Sequence, residues 1–172
     1  MGKPARIISR SSPDDRFQIG GNMHRRIVPD VISGRQELAT ASGTMTVRDA
    51  CVAMAKRRIG ALMVVDGGHL AGIFTERDVM TKIVGQNRDP DKVTLADAMT
   101  RNPDTIGPDA PPREALEMMR RYGYRHLPVV EGGKLIGMVS VRDLYAAALG
   151  ELEENLKERE AFIAGGAGYG LN

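Results

Sequence analysis

Ala61-Leu62-Met63-Val64-Val65-Asp66-Gly67-Gly68-His69-Leu70-Ala71-Gly72 returns 65 residues later as His126-Leu127-Pro128-Val129-Val130-Glu131-Gly132-Gly133-Lys134-Leu135-Ile136-Gly137. Each copy is a short apolar run, a Gly-Gly pair and a second apolar run. Runs of this length rich in valine read as strands, and Gly-Gly between them reads as a hairpin turn, because glycine takes positive φ at little cost. The same shift places Thr75-Glu76-Arg77-Asp78 over Ser140-Val141-Arg142-Asp143, and Arg48, Ala50 and Met54 over Arg113, Ala115 and Met119. Across 43–80 against 108–145, 12 of 38 positions are identical with no gap. Such self-similarity marks a duplicated supersecondary unit.

Working outward, Val47, Ala50, Cys51 and Met54 recur at helical spacing, and Pro112, Ala115, Leu116 and Met119 take their places in the second copy. Thr46 with Asp49 resembles the start of a capped helix. A further helix begins near Thr75 and near Ser140. Each half therefore reads as helix, strand, strand, helix, preceded by a short extended piece. One such half exposes a sheet face, and two halves packed through their sheets bury it. The expected class is α/β (α+β), two pseudo-symmetric β-α-β-β-α repeats plus a C-terminal helix. The organisation is a flexible basic segment over 1–26, a first repeat over 27–84, a polar linker over 85–93, a second repeat over 94–149, and a helix with a flexible tail over 150–172. Leu149, Leu152, Leu156 and Ile163 form a narrow apolar stripe on that third helix.

Composition sets the outer limits. The chain has 172 residues, 42% hydrophobic but only 4% aromatic with no Trp, so its core is aliphatic and rich in Met. Its net charge of +2 is too small to indicate nucleic acid on its own. Lys3, Arg6, Arg10, Arg16, Arg25 and Arg26 crowd the N-terminus against Asp14 and Asp15 alone. No apolar run reaches the ~20 residues of a membrane span, and no secretory signal stands at the start. A single cysteine, Cys51, excludes an intrachain disulfide and reads as a core side chain. The cytoplasm is the expected compartment.

The chemistry concentrates where the second helix of each copy starts. A Ser or Thr there offers a hydroxyl beside free backbone N–H groups, an electropositive spot that suits phosphate. An Asp three residues later can accept from two neighbouring hydroxyls, as on a ribose. Arg77 and Arg142 beside it can meet phosphate oxygens with a forked pair of donors. The plain alternative is that Thr75 with Asp78, and Ser140 with Asp143, only cap their helices, an interaction worth about 1 kcal/mol with no ligand. Both roles can coexist.

These features resemble the tandem cystathionine-β-synthase (CBS) domain pair, or Bateman module, over roughly 27–149. The resemblance rests on Gly72-Ile73-Phe74-Thr75-Glu76-Arg77-Asp78 and Gly137-Met138-Val139-Ser140-Val141-Arg142-Asp143, on the entry Ala98-Met99-Thr100 followed by Pro103-Asp104-Thr105, and on Tyr124-Arg125-His126-Leu127-Pro128-Val129-Val130. The first entry, Arg35 to Ala41, lacks the Met-Thr and Pro of the second. The resemblance implies an adenine nucleotide as ligand, with Asp on the ribose, Ser/Thr and Arg on phosphate, and backbone near Thr40 or Thr105 and near Ala61 or His126 reading the adenine edge between apolar side chains. The candidate contacts are Thr40, Gly60, Ala61, Leu62, Thr75, Arg77 and Asp78 from the first repeat. From the second they are Thr105, Tyr124, Arg125, His126, Leu127, Pro128, Ser140, Arg142 and Asp143.

Arg125 and His126 are the sharpest difference between the copies, since Gly60 and Ala61 stand in their places. At least one of the pair is expected to face phosphate, and the first site is the roomier. AMP is the first-choice ligand, ADP and ATP follow, and NAD fits the roomier site. No metal is expected, because no cluster has ligand spacing. Catalysis is not expected either, since His24, His69 and His126 lack a nucleophile at a recognised spacing. The leading reading is a regulatory energy- or redox-sensing module that forms a homodimer and signals to an unidentified, separate target protein. A ligand-free structural or interaction module is the alternative. Nucleic-acid binding ranks last, for want of a recognition helix or stacking platform.

Overall fold

A computed structural model describes residues 25–33 and 37–166. The expected mobility of 1–26 therefore lies outside the described residues except at Arg25 and Arg26, as does the tail beyond Gly166. Strand β1 (Thr40–Ser42) leads to helix α1 (Val47–Arg57), the hairpin β2 (Ala61–Asp66) and β3 (His69–Thr75), and α2 (Glu76–Asp78). The helical path runs on through a wide turn over Val79–Ile83 and a tight one over Val84–Gln86. The second copy follows as α3 (Leu95–Ala98), β4 (Thr100–Arg101), α4 (Pro112–Tyr122), the hairpin β5 (His126–Glu131) and β6 (Lys134–Ser140), and α5 (Val141–Gly166). The architecture is a mixed α/β pair of repeats in which β3 packs against β6.

Both hairpins turn on the expected glycines. Gly67 and Gly68 have φ of +54° and +82°, and Gly132 and Gly133 have +54° and +81°. The two glycine turns let the strands reverse in two residues. Even the local irregularity is duplicated, with a register shift between Val64 and Val65 and another between Val129 and Val130.

The sheets differ at one edge, for a reason visible in one residue. In the first repeat β1 runs parallel to β2, and Met63 N–H donates to Ala39 O at 2.9 Å. The position matching Met63 is Pro128, which has no N–H to give. The matching pairing shrinks to one bridge, Ile106 to Val129, held by Ile106 N–H to Pro128 O at 3.0 Å and Val130 N–H to Ile106 O at 2.9 Å. The chain just before Ile106 is thereby released from the β5–β6 sheet.

The entry segments are exchanged between repeats. Ile27 and Ile32, grouped with the first repeat by sequence, lie in the second core with Ala115, Leu127 and Val139. Val93, Leu95, Ala98 and Met99, which precede the second repeat, lie in the first core with Val47, Leu62 and Phe74. The backbone makes the exchange twice. Leu95 and Ala96 donate to Met45 O and Gly43 O, while Ile27 and Val28 donate to Ala110 O and Pro108 O. The acceptors are 65 residues apart but the donors are 68 apart, so the gapless alignment fails here and the first entry is three residues longer. Val93 also accepts from Val47 N–H at 2.9 Å, so the end of the expected linker is core.

Strand β4 pairs with β3 at Gly72–Arg101 and Ile73–Thr100. Glycine at 72 permits this approach, since a Cβ there would collide with Met99 Sδ and stand 2.8 Å from Thr100 O.

Helices α1 and α4 bury the predicted faces, with Val47, Ala50 and Met54 in one and Ala115 and Met119 in the other. Cys51 packs against the first core, and burial pushes its thiol up. One expectation needs correction: no third helix starts near Leu149. Helix α5 is a single 26-residue element from Val141 to Gly166. Gly150 does not break it, because a mid-helix glycine costs only about 1 kcal/mol and strong helix formers flank it on both sides.

Candidate functional site

Asp78 and Asp143 open their helices in the same way. Asp78 Oδ2 accepts from Thr75 N–H at 2.9 Å and Thr75 Oγ1–H at 2.8 Å, while Asp78 N–H returns to Thr75 Oγ1 at 3.4 Å. Asp143 Oδ2 accepts from Ser140 N–H at 2.7 Å and Ser140 Oγ–H at 2.6 Å, with the return bond at 3.3 Å. Capping therefore uses one carboxylate oxygen and leaves the other. At Asp78, which is 7% exposed, that other oxygen meets Lys82 Nζ at 2.7 Å. The counterpart of Lys82 is Ala147, and among the described residues Asp143 Oδ1 has no such partner.

Two clefts lie at these helix starts, and each draws on both repeats. The first, about 300 Å³, joins Thr75, Arg77 and Asp78 to Asn102, Pro103 and Asp104 and to the lead-in of β5. The second, about 400 Å³, joins Ser140, Arg142 and Asp143 to Arg58, Ile59 and Gly60. Glu76, Arg125 and His126 line both, as does Gly60. A Cβ on Gly60 would stand 3.3 Å from Glu76 Oε2 and 3.4 Å from His126 Cε1, so the glycine lets these two side chains meet at the junction.

Each helix start is completed by residues of the other repeat as well as its own. The segment Pro103–Asp104 faces Asp78, not Asp143. Its freedom to do so follows from Pro128, which releases the chain just before Ile106 from the β5–β6 sheet. Tyr124 O–H donates to Asp104 Oδ2 at 3.3 Å, and burial with the adjacent carboxylate holds the phenol far above its usual range, in its protonated form. Its ring stacks on Tyr122 at 5.9 Å and 16°. Arg77 donates to Gly123 O at 2.7 Å, tying α2 to the end of α4.

His126 is half-buried at the shared wall. Burial, then Arg125, push it below the ordinary histidine range, against an upward pull from Glu76 and Asp143. It is therefore neutral at pH 7, a hydrogen-bonding group and not a fixed cation. Leu127 lines the first cleft. Thr40, Ala61, Leu62, Thr105 and Pro128 line neither, and Ala61, Leu62 and Pro128 are fully buried in the strands.

Glu76, Asn102, Asp104 and Arg58 are among the cleft residues that were not legible as such. Glu76 occupies a variable place inside the Thr-x-x-Asp pattern. Asn102 and Asp104 sit in an entry whose destination is the other repeat. Arg58, with left-handed φ of +55°, caps the end of α1, where a cation also suits the helix C-terminus. Among the described residues no group of three or more His, Cys, Asp or Glu is placed to hold a metal ion, and no helix is long and apolar enough to cross a membrane.

The sequence matches the CBS domain family over residues 25–85 and again over 95–150. It is 38% identical over 126 residues to the mitochondrial CBS domain-containing protein CBSX3 of Arabidopsis thaliana, covering 70% of this chain and 61% of that protein. It is 36% identical over 153 residues to CBSCBSPB3 of the same plant, covering 88% of this chain and 27% of the relative. The chain thus spans between about a quarter and three fifths of these relatives' length. Among solved structures, a protein with CBS domains from Burkholderia ambifaria MC40-6 superposes with a TM-score of 0.69 at 34% identity, covering 74% of this chain and 96% of the other. The CBS domain pair of protein MJ0100, solved in complex with 5′-methylthioadenosine and S-adenosyl-L-methionine, superposes at 0.62 with 30% identity, covering 70% and 97%. With both halves of the duplication matched separately and the paired fold shared, the chain belongs to the CBS domain family as a tandem pair.

Proposed function

We propose that this CBS pair is a regulatory module that binds an adenine nucleotide between its repeats and passes its occupancy to a target protein. One observation carries the reading: the cleft of about 400 Å³ gathers the Asp143 carboxylate with the guanidiniums of Arg58, Arg125 and Arg142. A carboxylate with a spare oxygen suits a ribose diol, and several arginines at the same opening suit phosphate. The complex of the MJ0100 pair with two adenosyl compounds supports an adenosine-type ligand for this fold.

AMP is the first choice, with ADP, ATP and NAD as the compounds to compare. The site residues proposed are Asp78 and Asp143 for ribose, Ser140 and Arg142 for phosphate, Thr75 and Arg77 at the other helix start, and Arg125 and His126 at the shared wall. No side chain is assigned a catalytic role, and the module regulates through binding. The exposed stripe on α5, with Leu149, Leu152 and Leu156 all more than half exposed, is read as the contact with a second copy of the chain.

Calorimetry with AMP, ADP, ATP and NAD tests the reading. Ligand at 100 times Kd raises stability by about 2.7 kcal/mol, and the melting temperature rises with it. Absence of both heat and thermal shift at millimolar ligand favours the alternative, an interaction module that needs no nucleotide.

A further inference from the structure

The two clefts carry different charge. Glu76 and Arg125 line both and cancel in each. Beyond that pair, the Asp78 cleft has Arg77 against Asp78 and Asp104. The Asp143 cleft has Arg58 and Arg142 against Asp143 alone. The first is thus short of one positive charge and the second has one in excess. Lys82 pairs with Asp78 from outside the cleft, which brings the first to neutrality but no further. Arg77 also has one of its donors committed to Gly123 O. Arg58 and Arg142 are exposed, and among the described residues neither is paired with a carboxylate. Asp104 is held at the first cleft by Tyr124, whose hydroxyl donates to it.

We propose that the clefts sort adenosine compounds by charge: the Asp143 cleft takes the phosphate-bearing nucleotide, and the Asp78 cleft takes an adenosyl compound without phosphate, neutral or cationic. This rests on the adenosine-binding reading above and extends it to two ligands held at once. Beyond the Glu76–Arg125 pair, a phosphate at the Asp78 cleft would face Asp104 with one partly committed guanidinium, Arg77, to compensate. Like charges at short range inside a cleft are weakly screened, so that arrangement disfavours the anion. A sulfonium or ammonium group would meet Asp104 favourably at the same place. At the other cleft the excess guanidiniums reverse the preference. The shared wall of Gly60, Glu76, Arg125 and His126 places the two ligands side by side, so the pair reports the ratio of a phosphorylated to an unphosphorylated adenosine compound and not one concentration alone.

The test is calorimetry on the full chain with AMP, 5′-methylthioadenosine and S-adenosylmethionine. The expected result is that protein saturated with AMP still binds 5′-methylthioadenosine at one equivalent. Mole-for-mole competition between the two overturns the proposal. Arg58→Gln and Arg142→Gln are each expected to weaken AMP about tenfold, the loss of one charge-assisted hydrogen bond, while 5′-methylthioadenosine changes by no more than about twofold, as for independent sites. Asp104→Asn is expected to weaken S-adenosylmethionine and spare AMP. Equal losses for both ligand types in these variants overturn the proposal, and the competition on the unaltered chain decides the matter if a variant fails to fold. Should no adenosine compound bind at all, the functional reading itself falls, which is a different outcome from binding at a single common site.

Discussion

Lys82 Nζ stands 2.7 Å from Asp78 Oδ1, one turn along the same helical path, whereas Asp143 faces Ala147 at the matching position. Lys82 also donates to Ala98 O at 2.7 Å, so it joins the buried carboxylate to the entry of the second repeat. Lys82→Met is expected to leave Asp78 without its second partner in a nearly closed environment. The expected loss of stability is about 1–3 kcal/mol, read from urea unfolding. An unchanged midpoint would show that the pair contributes nothing net. Ala147→Met, the same side chain in the other repeat, is expected to have little effect.

The two aspartates are expected to differ as ligands for AMP. Asp143 offers an unengaged oxygen beside three guanidiniums, and Asp78 offers one already held by a lysine beside a further carboxylate. Asp143→Ala is therefore expected to weaken AMP more than Asp78→Ala, by about tenfold if one ribose bond to a charged acceptor is lost. Titration of both variants with AMP checks this. The reverse order would place the nucleotide in the other cleft.

Position 72 tests the close approach of the repeats. Gly72→Ala puts a methyl group against Met99 Sδ and 2.8 Å from Thr100 O, a backbone atom that cannot swing aside. Overpacking of this kind costs about 1–3 kcal/mol. Thermal unfolding of the variant is expected to show the loss, with early hydrogen exchange at Thr100 and Arg101. A variant as stable as the parent would mean that β4 is free to move away.

His126 makes stability depend on pH. Its folded pKa is lowered, first by burial and then by Arg125. Below the ordinary histidine pKa of about 6.5 the unfolded chain takes up a proton that the folded chain resists. This contribution is therefore whole above about pH 6.5 and falls away as pH drops below it. Urea unfolding of ligand-free protein across that range is expected to show the decline, and His126→Gln to flatten it. An identical slope in the variant would assign the pH dependence to other groups.

Helix α5 leaves Leu149, Leu152, Leu156 and Ile163 between 52% and 72% exposed. Their spacing is that of a helical seam. Leu152→Glu with Leu156→Glu is expected to convert a dimer into monomers, measured by light scattering at micromolar protein. If the unaltered chain is monomeric there, the stripe serves another contact.

Local physics was enough to establish from the sequence the duplication, both glycine hairpins, the faces of α1 and α4, and the starts of α2 and α5. Each depends on residues within a few positions of one another: a glycine able to take positive φ, an apolar spacing, a Thr or Ser three places before an Asp. The capping of the helix starts by Asp78 and Asp143 was legible for the same reason. The partners of those aspartates were not, because a cleft between two repeats is composed by their relative rotation, which no spacing within one repeat encodes. Only the tertiary structure decided that Asn102–Asp104 serve the helix start of the opposite repeat, that Arg58 joins Arg142, and that Glu76, Arg125 and His126 are common to both clefts. Pro128 shows where the two levels meet. Its missing N–H is plain in the sequence, but its consequence, an entry segment freed from its own sheet to line the other repeat's cleft, exists only once the chains before Ala39 and before Ile106 are seen beside their strands.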